Sequence, residues 1–243
     1  MCTPEIICPE LAELKLTDLD AVIKSFREAP ACRLRQAWCL ELEPRFLPAV
    51  VRIGWQAQTL MIFAELKDAE IFTFARHPNE RLWELGDVFE IFLRPMNQPA
   101  YGEFQVAPNN LRLQLRYGGN GAADQARRSD SFGSAMVHDI AFTAQTWVLA
   151  DFCRWYAFVK IPVSSVSDHP APLPGSEWRF SFCRYDYSRS RAEPVLSSTS
   201  AHTIANDFHR QADWGTMRCE RRPIALEPFG VGNPSAGRPA GVE

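Results

Sequence analysis

From residue 33 to residue 220 apolar and polar residues alternate with a period of two, in short runs separated by Gly, Pro, Asn, Asp and Ser. A period of two is that of a half-buried β-strand. The runs are Arg33 to Leu42, Val50 to Trp55, Leu60 to Leu66, Val88 to Arg94, Tyr101 to Val106, Leu111 to Arg116, Trp147 to Phe152, Trp155 to Ile161, Trp178 to Asp186 and Thr216 to Cys219. Ten short strands without helical spacers predict an all-β fold, an antiparallel β-sandwich of jelly-roll-like type. The expected core comprises Trp38, Ile53, Trp55, Ile62, Phe89, Ile91, Leu93, Phe104, Leu113, Trp147, Trp155, Phe180 and Phe182.

Ahead of the strands, Leu11, Leu14, Leu19, Val22, Ile23 and Phe26 recur at roughly helical spacing, with Thr17 or Asp18 as the cap. Residues 1–29 therefore read as a short helical N-terminal extension, 30–222 as the sandwich, and 223–243, rich in Gly and Pro, as a flexible tail. Gly118 to Ser134 and Pro162 to Gly175 read as surface loops.

With 26 Lys and Arg against 29 Asp and Glu, the chain has a formal charge of -3 and no basic block to neutralise phosphates, which argues against nucleic acid. No uncharged apolar run approaches the roughly 20 residues of a membrane span, and residues 1–20 lack the basic start and apolar stretch of a secretory leader. A cytoplasmic protein is expected as written, or a secreted one if a leader was removed. Seven cysteines without a C-x-x-C pair signal neither a disulfide framework nor a zinc knuckle.

Three consecutive runs place polar side chains at alternate positions: Glu90 and Arg94, then Tyr101, Glu103 and Gln105, then Arg112, Gln114 and Arg116. As neighbours in one sheet they form a face of mixed donors and acceptors. A solvated face has the same pattern, but Trp83 lies beside it among charged and turn-forming residues. A sugar ring needs such a flat aromatic platform, with carboxylate, amide and guanidinium partners for its hydroxyls.

The segment Leu82-Trp83-Glu84-Leu85-Gly86-Asp87-Val88-Phe89-Glu90-Ile91-Phe92-Leu93, followed by residues 101–109, resembles the centre of the family 9 carbohydrate-binding modules, of the DOMON-like β-sandwich superfamily. Residues 51–55, 60–68, 178–184 and 208–215 are similar to its flanking and closing segments. The resemblance implies a sandwich that binds a mono- or oligosaccharide without catalysis, the terminal sugar of a plant-type glucan or xylan fragment held between aromatic rings. Carried over, Trp83 and Phe208 are the clamp and Glu90 the carboxylate, while Gln105 stands where the family has an arginine and Phe208 where it has a tryptophan. Arg112 or Arg184 would then restore the missing charge. The resemblance also implies structural calcium, with Asp68, Glu70 and Asp87 as acidic candidates.

Two other classes stay open on the sequence. A glycoside hydrolase needs two carboxylates flanking one bond, for which Glu90 and Glu103 are the pair, although nearby arginines would lower a general acid's pKa. A haem-binding electron-transfer sandwich would draw axial ligands from Met61, Met136 or His138. The histidines show no metal-triad spacing, and no nucleophilic-serine or phosphate-loop motif occurs.

Overall fold

A computed structural model describes residues 3–12, 18–128, 132–167, 173–202 and 207–221. Twelve strands follow in chain order: β1 (Glu5–Pro9), β2 (Ala31–Arg33), β3 (Ala49–Gln56), β4 (Thr59–Lys67), β5 (Val88–Pro95), β6 (Tyr101–Val106), β7 (Arg112–Tyr117), β8 (Thr143–Leu149), β9 (Arg154–Pro162), β10 (Glu177–Asp186), β11 (Val195–Ser198) and β12 (Gly215–Glu220). They form two sheets, one ordered β1-β12-β10-β5-β6-β7 with β11 also paired to β10, the other ordered β2-β3-β4-β9-β8. Every pairing is antiparallel except β1 with β12. The expected β-sandwich is the fold.

Alternation explains the sandwich interior. Phe89, Ile91 and Leu93 of β5, Phe104 and Val106 of β6, and Phe180 and Phe182 of β10 face Ile53, Ile62, Trp155 and Val159 of the other sheet, all buried in one cluster. Burying such a side chain contributes about 1.5–3 kcal/mol. A second apolar cluster covers the opposite face of the larger sheet. Leu113 is buried there rather than between the sheets, and Trp38 only packs against that cluster from outside. Trp147 likewise lies at the margin of a third cluster, on the outer face of the smaller sheet.

That third cluster is the seat of helix α1 (Leu19–Ser25), whose Val22, with Phe26 just beyond, packs on Phe63 and Phe158. Asp18 caps the helix, its Oδ1 accepting from Ala21 N–H at 2.8 Å. The other cap considered, Thr17, lies outside the described residues, as does the tail from residue 223. The N-terminal segment is not purely helical, because Glu5–Pro9 adds β1 to the larger sheet. The run from Arg33 to Leu42 leaves the sheet after Arg33 because the Gln36 side chain closes a loop, accepting from Glu43 N–H at 2.8 Å and donating to Leu196 O at 2.9 Å. The stretch after Gly118 is not an open loop: it holds helices α2 (Ala122–Arg128) and α3 (Phe132–Ala135), with Ala123, Ala126 and Ala135 buried on the second cluster. The six cysteines among the described residues are free thiols. No helix among the described residues is long and apolar enough to cross a membrane.

Candidate functional site

The second face of the larger sheet carries Glu90 and Phe92 from β5, Tyr101, Glu103 and Gln105 from β6, Leu113, Leu115 and Tyr117 from β7, and Cys183 and Tyr185 from β10. Register sets the neighbours: Glu90 lies opposite Gln105 and Cys183, and Glu103 lies opposite Leu115. The 3-10 turn Leu82–Glu84, helices α2 and α3 and the segment 207–214 roof this face. Between roof and sheet lies a cavity of about 340 Å³. Its aromatic lining is Trp83, Tyr117, Phe132, Tyr185 and Phe208, and its polar lining is Glu90, Glu103, His209, Arg81 and Glu84. The volume is at the small end of ligand pockets, suited to a ligand of one or two rings.

The floor is a carboxylate pair joined by an amide. Gln105 Nε2 donates to Glu90 Oε1 at 2.8 Å and to Glu103 Oε1 at 2.5 Å. Both hydrogens of the amide are thereby used, and the two carboxylates are held side by side on one sheet face. Gln105 is fully buried and does not line the cavity. Beyond Glu103, His209 Nε2 is 3.6 Å from Glu103 Oε2, and His209 Nδ1 is 2.8 Å from the Tyr101 hydroxyl. Burial, with Glu90 beside it, pushes the Cys183 thiol well up, so it keeps its proton under the floor.

The two expected rings differ in setting. Trp83 is half-buried, its carbonyl accepting from the Tyr187 hydroxyl and its ring meeting Phe132 edge-on at 5.1 Å and 67°. Phe208 is wedged among Tyr185 at 5.8 Å, His202 at 5.6 Å and Trp38 at 6.2 Å, and only 2% of it is exposed. Trp83 is therefore the ring with surface to offer, and Phe208 forms part of a wall.

Neither protein-family models nor curated proteins yield a match to this chain. Solved structures do. A protein of Bacteroides uniformis described as a candidate carbohydrate-binding protein superposes with a TM-score of 0.68 at 18% identity, over 89% of this chain and 99% of that one. A family 9 carbohydrate-binding module of Caldicellulosiruptor kristjanssonii in complex with cellotriose gives 0.61 at 15% identity, over 93% and 99% of the two chains. A family 9 module from the same organism in complex with glucose gives 0.59 at 14% identity, over 93% and 100%. The fold is that of the family 9 carbohydrate-binding modules.

On this family 9 fold the two arginines expected to restore a charge lie elsewhere. Arg112 donates to Phe142 O at 2.6 Å with its guanidinium 5.7 Å from the Phe142 ring. The expectation had β7 inverted: Leu113, Leu115 and Tyr117 face the cavity and Arg112 and Gln114 face away, because this sheet face has an apolar cover of its own. Arg184 is on the sandwich side of β10, fully buried, 2.9 Å from Asp68 Oδ2 and 3.3 Å from Asp186 Oδ1, and it donates to Lys67 O at 2.5 Å.

Two of the three expected calcium candidates, Asp68 and Asp87, converge near that arginine together with Asp186, which was not among them. Carboxylate oxygens of Asp68, Asp87 and Asp186 lie within 4.8 Å of one another, while Glu70 points away and accepts from Arg189 N–H at 2.7 Å. Calcium takes six to eight oxygens at about 2.3–2.6 Å. Here Asp87 spends its two oxygens on the Phe72 and Tyr187 N–H groups, at 2.7 and 2.8 Å, and Asp68 and Asp186 face the guanidinium. These residues do not fit a calcium cage, and Arg184 supplies the positive charge. Burial, reinforced by Asp68, pushes the Asp87 carboxyl up to about 8. Burial pushes Asp186 up to about 7, with Arg184 opposing.

The haem candidates are not brought together: Met61 is buried under α1, whereas Met136 pairs with Leu115 beside the cavity. Sequence reasoning passed over Tyr117, Phe132 and Tyr185 as lining residues. Tyr117 and Tyr185 were legible from the alternation of β7 and β10, but Phe132 comes from a roof helix with no periodic signal.

Proposed function

We propose that this chain binds the terminal sugar of a glucan- or xylan-type saccharide in the cavity beside Trp83, without catalysis. The observation that carries this reading is the pairing of a partly exposed Trp83 ring with two carboxylates, Glu90 and Glu103, fixed by one amide on the opposing floor. A pyranose has a C–H face for the ring and hydroxyls that donate to carboxylate oxygens in charge-assisted bonds. The sandwich fold shared with family 9 modules in complex with cellotriose and with glucose supports the same reading.

The arrangement argues against the hydrolase alternative. Glycosidase carboxylates flank the scissile bond, whereas Glu90 and Glu103 rise from one sheet face and share a single nitrogen. A calorimetric screen of glucose, xylose, cello-oligosaccharides and xylo-oligosaccharides, with product analysis after incubation, tests the proposal. Saturable binding without cleavage is expected. Cleavage of the oligosaccharides, or no binding at millimolar sugar, overturns it.

A further inference from the structure

A second cavity of about 400 Å³ opens where the two sheets meet at β2 and β11. Its geometry follows from the sequence of one extended segment. Cys32, Leu34 and Gln36 point inward and are buried, so Arg33 and Arg35 point outward on the same side, about 6.6 Å apart along the chain. The segment is pinned beside β11 by reciprocal backbone bonds, Arg35 N–H to Ser198 O and Ser198 N–H to Arg35 O, both 2.8 Å. The facing wall is Ser198, Thr199 and Ser200, and Ala31 and Ala37 on either side of the arginines leave the space open.

The charge at this place is one-sided. No Asp or Glu lines the cavity, although acidic residues outnumber basic ones in the chain. Among the described residues neither the Arg33 nor the Arg35 guanidinium has a hydrogen bond or ion pair, unlike Arg184 or Arg154. Of this wall only Thr199 has a hydroxyl to offer: the buried Ser198 and Ser200 hydroxyls are held by Ser181, at 3.2 and 2.7 Å, whereas Thr199 Oγ1 accepts from Phe182 N–H at 3.0 Å and keeps its hydrogen to donate.

We propose that this cavity binds the phosphate group of a small phosphomonoester. One guanidinium fork saturates a carboxylate, whereas the three terminal oxygens of a phosphate monoester can be shared by two forks and a hydroxyl donor. The volume exceeds what a phosphate alone fills and leaves room for a small polar body beside Thr199. The site is separate from the Trp83 cavity and does not depend on sugar binding there.

The test is calorimetry on the full chain with glucose 6-phosphate, inorganic phosphate and glucose, for the wild type, Arg33→Gln/Arg35→Gln and Trp83→Ala. Both arginines are exposed, so the double variant is expected to melt with the wild type. Glucose 6-phosphate should bind the wild type and Trp83→Ala, weaken with added salt, and lose at least tenfold in affinity in the double variant. Absence of binding at millimolar ester, or equal affinity in the double variant, overturns the proposal. Loss of ester binding in Trp83→Ala instead places the ligand in the other cavity and also overturns it. Inorganic phosphate binding as tightly as the ester overturns the assignment to an ester.

Discussion

Gln105 Nε2 stands 2.8 Å from Glu90 Oε1, beneath the cavity and out of reach of anything in it. The same nitrogen holds Glu103, so a residue that touches no ligand sets the spacing of the two groups that would. Gln105→Met keeps the volume and removes both bonds, leaving two buried carboxylates that repel. Sugar affinity should fall about five- to tenfold by calorimetry, and stability by about 1–3 kcal/mol in a denaturant titration. Unchanged affinity would remove Gln105 from any positioning role.

Trp83 and Phe208 should respond differently to truncation. Trp83→Ala takes away the platform and should weaken sugar binding at least tenfold, about 1.4 kcal/mol. Its ring is half-buried against Phe132, so the melting temperature should drop only slightly. Phe208→Ala opens a hole among Tyr185, His202 and Trp38 and should cost about 3–5 kcal/mol of stability. Equal thermal losses in the two variants would show that Trp83 is a core plug.

Removing Arg184 should be the most damaging single change at the end of the sandwich. Arg184→Leu leaves the fully buried Asp68 without its cation, a loss of about 3–5 kcal/mol. Because the guanidinium occupies the place a metal would neutralise, EDTA should leave the wild-type melting temperature unchanged and added calcium should not raise it. Thermal shift assays with both additives check this, and a calcium-dependent rise would show that the aspartates take a metal despite Arg184.

The same cluster sets a pH dependence. With carboxyl pKa values raised to about 8 for Asp87 and about 7 for Asp186, the folded state retains protons that the unfolded chain releases near pH 4. Their contribution is fully present below about pH 4 and is lost as pH rises through 7 and 8. Melting temperature should therefore decline from pH 5 to pH 9, and Asp186→Asn should flatten the part of that decline below about pH 7. A wild-type profile that rises over this range would contradict the burial of these groups as acids.

The sequence by itself determined the sandwich and part of its binding face. Strands β5 and β6 and the shared face of Glu90, Glu103 and Gln105 were legible because a period of two leaves little freedom once one side is apolar. Which side of β7 looks into the cavity was not, since a sheet face covered by its own roof is apolar too, and Leu113, Leu115 and Tyr117 then carry the signal of a core strand. Arg184 read as a site residue for a similar reason: alternation places it on a face but does not say that Asp68, 116 residues earlier, closes on it. The β1 pairing, the roof helices and the union of Arg33 and Arg35 with Ser198 to Ser200 likewise join segments far apart in the chain. Only tertiary structure decided those, because burial and charge pairing act between residues that no local pattern relates.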